Sequence, residues 1–192
     1  MPLIRRTTAS RTAERSPSLL ENLEARQLFD SAPLPSIADM RNPLNTVVRL
    51  ETNFGDIDIE MLDTGGAADA APLTVANFLK YVRDGDYDRT FFHRYARNGT
   101  TPFVLQGGLA RLSAGANGEF GAQEIPVDAQ VQNEFNANRS NVERTLAMAK
   151  RDMQPNSATS QFFFNLSNNA SNLDSQNGGF AVFARVLDDR SW

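Results

Sequence analysis

The chain has 192 residues, room for one ordinary domain with a buried core plus a tail, and its 41% hydrophobic and 22% charged residues are a globular balance. A net charge of −4 argues against a nucleic-acid protein, whose surface needs an excess of cations. With no cysteine and a single histidine, His93, disulfides, thiolate zinc sites and two-histidine metal sites are excluded, and no apolar run reaches the ~18 residues that span a bilayer.

Residues 1–45 read as a disordered leader and linker. Residues 1–17 are rich in Arg, Ser and Thr with little apolar content. Arg5 and Arg6 are not followed by the apolar stretch of an ordinary secretory signal. Leu19, Leu20, Leu23 and Leu28 then give a short amphipathic stretch, and Pro33, Pro35 and Pro43 break the next residues into an extended linker. Two readings stand for this segment: a floppy tail with a transient helix, or a targeting leader.

From Thr46 the pattern becomes β-like. Val47, Val48 and Leu50 lead into the turn signal Asn53-Phe54-Gly55. Ile57, Ile59 and Met61 then alternate with Asp56, Asp58 and Glu60, the period of a half-buried strand in a hairpin. Pro72 suits the first turn of a helix whose apolar face is Val75, Phe78, Leu79 and Val82, ended by Gly85. Further short strands are expected at 91–96, 103–106, 144–150, 160–165 and 180–187, separated by turns such as Asn117-Gly118 and Asn177-Gly178-Gly179. Many short strands with one early helix suggest a small closed barrel.

Strand alternation places Gln161, Phe163 and Asn165 on one face and Ser160, Phe162 and Phe164 on the other. A barrel of about eight strands is filled by its own side chains, so a binding site must use its outer face or rim. Phe163 beside Gln161 would then be an exposed platform; the alternative is that residues 162–164 are buried aromatic mass. Phe92-His93-Arg94 adds a cation, and Phe103-Val104-Leu105-Gln106-Gly107-Gly108 adds apolar surface and a second amide. None of these is an obvious nucleophile or metal cluster, and together they suit binding and polarising a neutral peptide group. His93 has no serine or carboxylate placed to make it a general base, so it reads as a structural, hydrogen-bonded histidine. Gly107-Gly108 lacks the signature of a phosphate loop and reads as close backbone packing.

From about Val47 to Val186 the chain resembles the bacterial cyclophilin-type peptidyl-prolyl isomerases. The resemblance is carried, in the family's order, by Thr74-Val75-Ala76-Asn77-Phe78, Phe92-His93-Arg94, residues 103–108, Asn133-Glu134-Phe135, Leu146-Ala147-Met148-Ala149, residues 157–163, Leu173-Asp174 and Val182-Phe183. It implies a mainly β fold: a cyclophilin-like antiparallel barrel of about eight strands with one early helix, in a domain at residues 46–192. It also implies catalysed rotation about Xaa-Pro bonds, with Arg94, Gln106 and Phe163 as catalytic residues. Phe103, Val104, Ala149, Lys150, Gln161, Leu173 and Phe180 become substrate-binding residues, the amides holding substrate backbone and residues 149–150 meeting the peptide through main-chain groups. The implied partners are proline-containing peptides and unfolded proteins, without nucleic acid, cofactor or metal. Residues 21–29 resemble the leader of large exported bacterial proteins, notably planctomycete ones, with Ala25 where proline is common; that implies export or a place in the cell envelope.

Three departures from the family pattern stand out. Residues 95–102 make a longer connection after Arg94 than the family normally has, which bears on where Arg94 sits. Asn172 and Phe180 stand where many eukaryotic members carry tryptophan and histidine, which implies weak cyclosporin binding. After Leu187 the family's C-terminal helix and closing strand are missing, so an open sheet edge is expected there, with a monomer unless that edge associates. The alternative function is a catalytically weak proline-peptide-binding module of an exported or multidomain protein.

Overall fold

The computed structural model describes residues 4–5, 9–10, 36–114 and 119–187. The amphipathic stretch around Leu23 and the prolines at 33 and 35 lie outside the described residues. Two short strands, Ile4–Arg5 (β1) and Ala9–Ser10 (β2), pair antiparallel with Val47–Thr52 (β3), so part of the segment read as disordered is paired to the sheet.

Strand β3 forms the expected hairpin with Gly55–Met61 (β4), setting Val48 against Ile59 and Leu50 against Ile57. The polar face of β4 is not solvated, however: Asp58 and Glu60 are both buried. Arg49 grips Asp58 through two parallel bonds of 2.8 and 2.7 Å. Glu60 accepts from the main-chain N–H groups of Arg41 and Asn42 at 2.9 Å, from Asn45 at 2.7 Å and from Arg185 Nε at 2.7 Å. A buried carboxylate must be paired and fully hydrogen-bonded, and these donors meet that need. Residues 36–45, expected as the end of a linker, therefore fold against β4. Alternation marks the faces of a strand; what covers each face is decided elsewhere in the chain.

Helix Pro72–Asp84 (α1) starts at its proline and ends at Gly85, whose φ of 72° is the left-handed cap conformation. Its buried face, Val75, Phe78, Leu79 and Val82, is the one expected. Ala71 offers no cap. The free N–H groups of Leu73 and Thr74 donate instead to the carboxylate of Glu134, at 3.1 and 2.7 Å, where the helix dipole favours negative charge.

The remaining strands are Arg94–Asn98 (β5), Thr101–Gly107 (β6), Ala110–Ala114 (β7), Phe120–Glu124 (β8), Thr145–Met148 (β9), Phe162–Asn165 (β10) and Val182–Val186 (β11), with a single-turn helix at Ala170–Leu173 (α2). The main sheet is antiparallel in the order β1-β3-β4-β11-β9-β10-β6-β5, with β2 also on β3; β7 and β8 make a separate hairpin that was not among the expected strands. The mainly β, antiparallel architecture is the expected one, and the sheet is not closed. Strand β11 is paired on both sides, with β4 and β9, and the sheet ends at β5 and on the β3 side.

Two apolar clusters lie on opposite faces of β10. Phe162 and Phe164 join α1 and β3, β4 and β11 residues in the larger one, where Phe78 meets Phe162 edge-on at 5.3 Å. Phe163 joins Leu62, Val104, Ala147, Leu173 and Val182 in the smaller one.

Candidate active site

Sheet register builds the site. Arg94 on β5 pairs with Gln106 on β6, and Gln106 pairs with Phe163 on β10, so the three expected catalytic residues lie side by side across neighbouring strands. Arg94 Nη1 donates to Gln106 Oε1 at 3.2 Å, and Gln106 Nε2 donates to Gln161 Oε1 at 2.8 Å. This chain of bonds fixes the orientation of both amides.

The next step of the register explains why two consecutive residues can share a pocket. Ala96 pairs with Val104 but Arg97 pairs with Pro102, which leaves Phe103 as the extra residue of a β-bulge. Regular alternation would send Phe103 and Val104 to opposite faces; the bulge re-aims Phe103, and both line one cavity.

That cavity has a volume of 330 Å³ and is lined by Arg94, Gln106, Phe103, Val104, Ala149, Lys150, Phe163, Leu173 and Phe180, together with Asn172 and Gln176. Nine of the ten expected site residues thus converge. The tenth, Gln161, is not part of the lining and acts on it through Gln106. Phe163 is only 4% exposed, so it is a buried wall and not the exposed platform that alternation suggested. Its ring meets Phe180 edge-on at 5.7 Å. Gln176 was not anticipated, because nothing in the periodicity of an irregular turn marks it.

Lys150 occupies the rim. Its Nζ donates to the carbonyls of Asn177 and Gly179 at 2.9 and 2.6 Å and sits 4.6 Å from the centre of the Phe180 ring. Desolvation draws the ammonium down to about 8, while the carbonyls and the ring face favour its charged form. Two turns hold these walls by close approach. A Cβ on Gly108, at φ +78°, would lie 2.5 Å from the carbonyl of Ser160; one on Gly179, at φ +73°, would enter the ring of Phe135. The main-chain N–H of Ala149 donates to Gln161 O at 2.9 Å, so it is committed within the fold.

His93 corrects an expectation. Its Nδ1 is buried with no hydrogen-bond partner, and burial, reinforced by the charge of Arg94, holds the imidazole below its usual pKa. The Asn133-Glu134-Phe135 motif has a scaffolding explanation. Asn133 donates to the carbonyls of Gly178 and Gly179, Glu134 caps α1, and Phe135 packs on Gly179.

The profile of the family described as cyclophilin type peptidyl-prolyl cis-trans isomerase/CLD matches residues 47–190. The chain belongs to this family. This cyclophilin is 38% identical over 144 residues to a peptidyl-prolyl cis-trans isomerase of Acinetobacter baylyi, a match covering 74% of this chain and 67% of the relative. It is 40% identical over 146 residues to peptidyl-prolyl cis-trans isomerase B of Escherichia coli, covering 74% and 78%. Among solved structures, it resembles a Cryptosporidium parvum cyclophilin crystallised in the presence of the dipeptide Ala-Pro, with a TM-score of 0.53, 26% identity and coverage of 74% and 78%. The chain is accordingly a peptidyl-prolyl cis-trans isomerase of the cyclophilin type. Among the described residues no helix is long and apolar enough to cross a membrane.

Proposed function

We propose that this cyclophilin rotates Xaa-Pro bonds of peptides and unfolded chains in the 330 Å³ cavity, with Arg94 as the residue that lowers the barrier. The observation that carries the assignment is the lateral row Arg94–Gln106–Phe163, with a guanidinium at one end and an aromatic wall at the other. Resonance across the peptide C–N bond opposes rotation with a barrier of about 18–20 kcal/mol. No bond is made or broken, so the catalyst must bind the twisted amide better than either planar form. As the amide twists, the prolyl nitrogen regains its lone pair. A guanidinium N–H donates to that lone pair with a charge that needs no tuning by pH.

The other residues position the substrate. Phe103, Val104, Phe163, Leu173 and Phe180 make an apolar pocket for the proline ring. Gln106, held by Gln161, donates to or accepts from the peptide groups beside it. Lys150 orients Phe180 through the turn it holds. The Ala-Pro dipeptide of the Cryptosporidium parvum crystal supports this choice of ligand class.

The test is cis–trans exchange in a short Ala-Pro peptide, followed by protease coupling or NMR, comparing wild type with Arg94→Ala. The expected loss in kcat/KM is about 100-fold, the size seen when one preorganised donor to a transition state is removed. A wild-type rate equal to the uncatalysed one, or an Arg94→Ala rate equal to wild type, overturns the assignment.

A further inference from the structure

The hairpin of β5 and β6 does more than connect two strands. Its extra length carries a second cavity of 250 Å³, lined by Arg94, Ala96, Arg97, Asn98, Phe103 and Asn172. Three of these residues, Arg94, Phe103 and Asn172, also line the prolyl cavity, so the two spaces adjoin. An extended peptide advances about 3.3–3.6 Å per residue. A residue close in sequence to a proline in the first cavity is therefore within reach of the adjoining one.

The chemistry of this second cavity differs from that of the first. Two guanidiniums and two primary amides surround a small apolar floor from Ala96 and Phe103, and no carboxylate lines it. Among the described residues, neither Arg94 nor Arg97 is in an ion pair with a carboxylate, so both guanidiniums of the cavity are available to an anion. Arg97 donates through Nη2 to the carbonyl of Thr100, which steadies the guanidinium on its own turn. That bond uses one of the five donors a guanidinium offers. In a protein of net charge −4, this cavity gathers two positive charges with no carboxylate in its lining.

We propose that the hairpin cavity binds a carboxylate side chain of the substrate, Asp or Glu, close in sequence to the isomerised proline. The inference rests on the prolyl site being the one built from Arg94, Gln106 and Phe163. It makes this cyclophilin selective for acidic proline-containing segments, with Arg97 as the residue that confers the preference.

The experiment uses the full chain and peptides identical except for Glu, Gln or Lys, scanned through the three positions on each side of Ala-Pro. Glu is expected to exceed Gln in kcat/KM at one flanking position by about two- to five-fold at low salt, the scale of a solvent-screened charge contact, with Lys below both. The ratio should shrink as salt is raised. It should fall to about one in Arg97→Gln and return in Arg97→Lys. Because a general loss of folded enzyme lowers every peptide's rate alike, the Glu-to-Gln ratio reports Arg97 and not stability. Catalysis with equal Glu and Gln rates at every position, or a ratio unchanged in Arg97→Gln, overturns the carboxylate pocket alone. Uncatalysed rates for every peptide overturn the prolyl site and the pocket with it.

Discussion

At the scale of single residues, Lys150 shows how one side chain can serve a site without reaching the reacting bond. Its pKa is drawn from 10.5 to about 8 by desolvation, so between those values the unfolded chain binds more protons than the folded one. Stability from this residue therefore rises as pH increases from about 8 to 10.5, and below about 8 both states are protonated and the contribution is constant. In urea melts, the stability difference between wild type and Lys150→Met should rise across that window; a flat difference sinks the assignment. The side chains proposed as catalytic were legible as motif members, since Arg94, Gln106 and Phe163 sit in strings whose order carries the family likeness. What the sequence did not carry was their environment. Alternation left Phe163 open between exposed platform and buried aromatic mass, because nothing local announces that Leu173 and Phe180 will close over it. The unpartnered Nδ1 of His93 escaped for the same reason: hydrogen-bond partners are a property of the neighbours, not of the residue.

At the scale of elements, α1 was readable from end to end: a proline start, an apolar stripe at helical spacing and a glycine stop. Its cap was not, because the carboxylate comes from Glu134, 60 residues away from Thr74. Glu134→Ala should destabilise the protein by about 1–2 kcal/mol in a denaturant melt, the range of lost helix caps with a favourable charge at the dipole. The same variant should leave the Arg94–Gln106 contact in place, so kcat per folded molecule should hold while the melting midpoint falls. The β5–β6 hairpin was expected as a connection and was illegible as a shape. Its bulge at Phe103 depends on the partner strand's register, which no window of the sequence contains. The β7–β8 hairpin was missed because its residues do not alternate cleanly, and Phe120 at its second strand is 80% exposed.

At the scale of the whole molecule, distant segments are joined by buried polar groups as well as by the sheet. Arg139, 2% exposed, donates to the carbonyls of Val182, Ala67 and Glu134, tying β11, the loop before α1 and the capping segment to one guanidinium. Arg139→Met should cost about 3 kcal/mol or more in a urea melt, since each buried acceptor left without its donor costs about 1–3 kcal/mol. A loss below about 1 kcal/mol would show that water replaces the guanidinium. That the sheet stays open was expected; the place of β11 between β4 and β9 was not legible, because only long-range pairing decides it.

Strand β10 carries a consequence of its own. Phe162 and Phe164 belong to the core beneath α1, while Phe163 between them lines the cavity proposed to hold proline. A slip of one residue would exchange the two faces, burying Phe163 under the helix and turning its neighbours toward the cavity. On the proposed site, no molecule has a working pocket over a mispaired sheet. Turnover in this protein is a report on its own strand alignment, and a preparation's specific activity counts the chains that have found it.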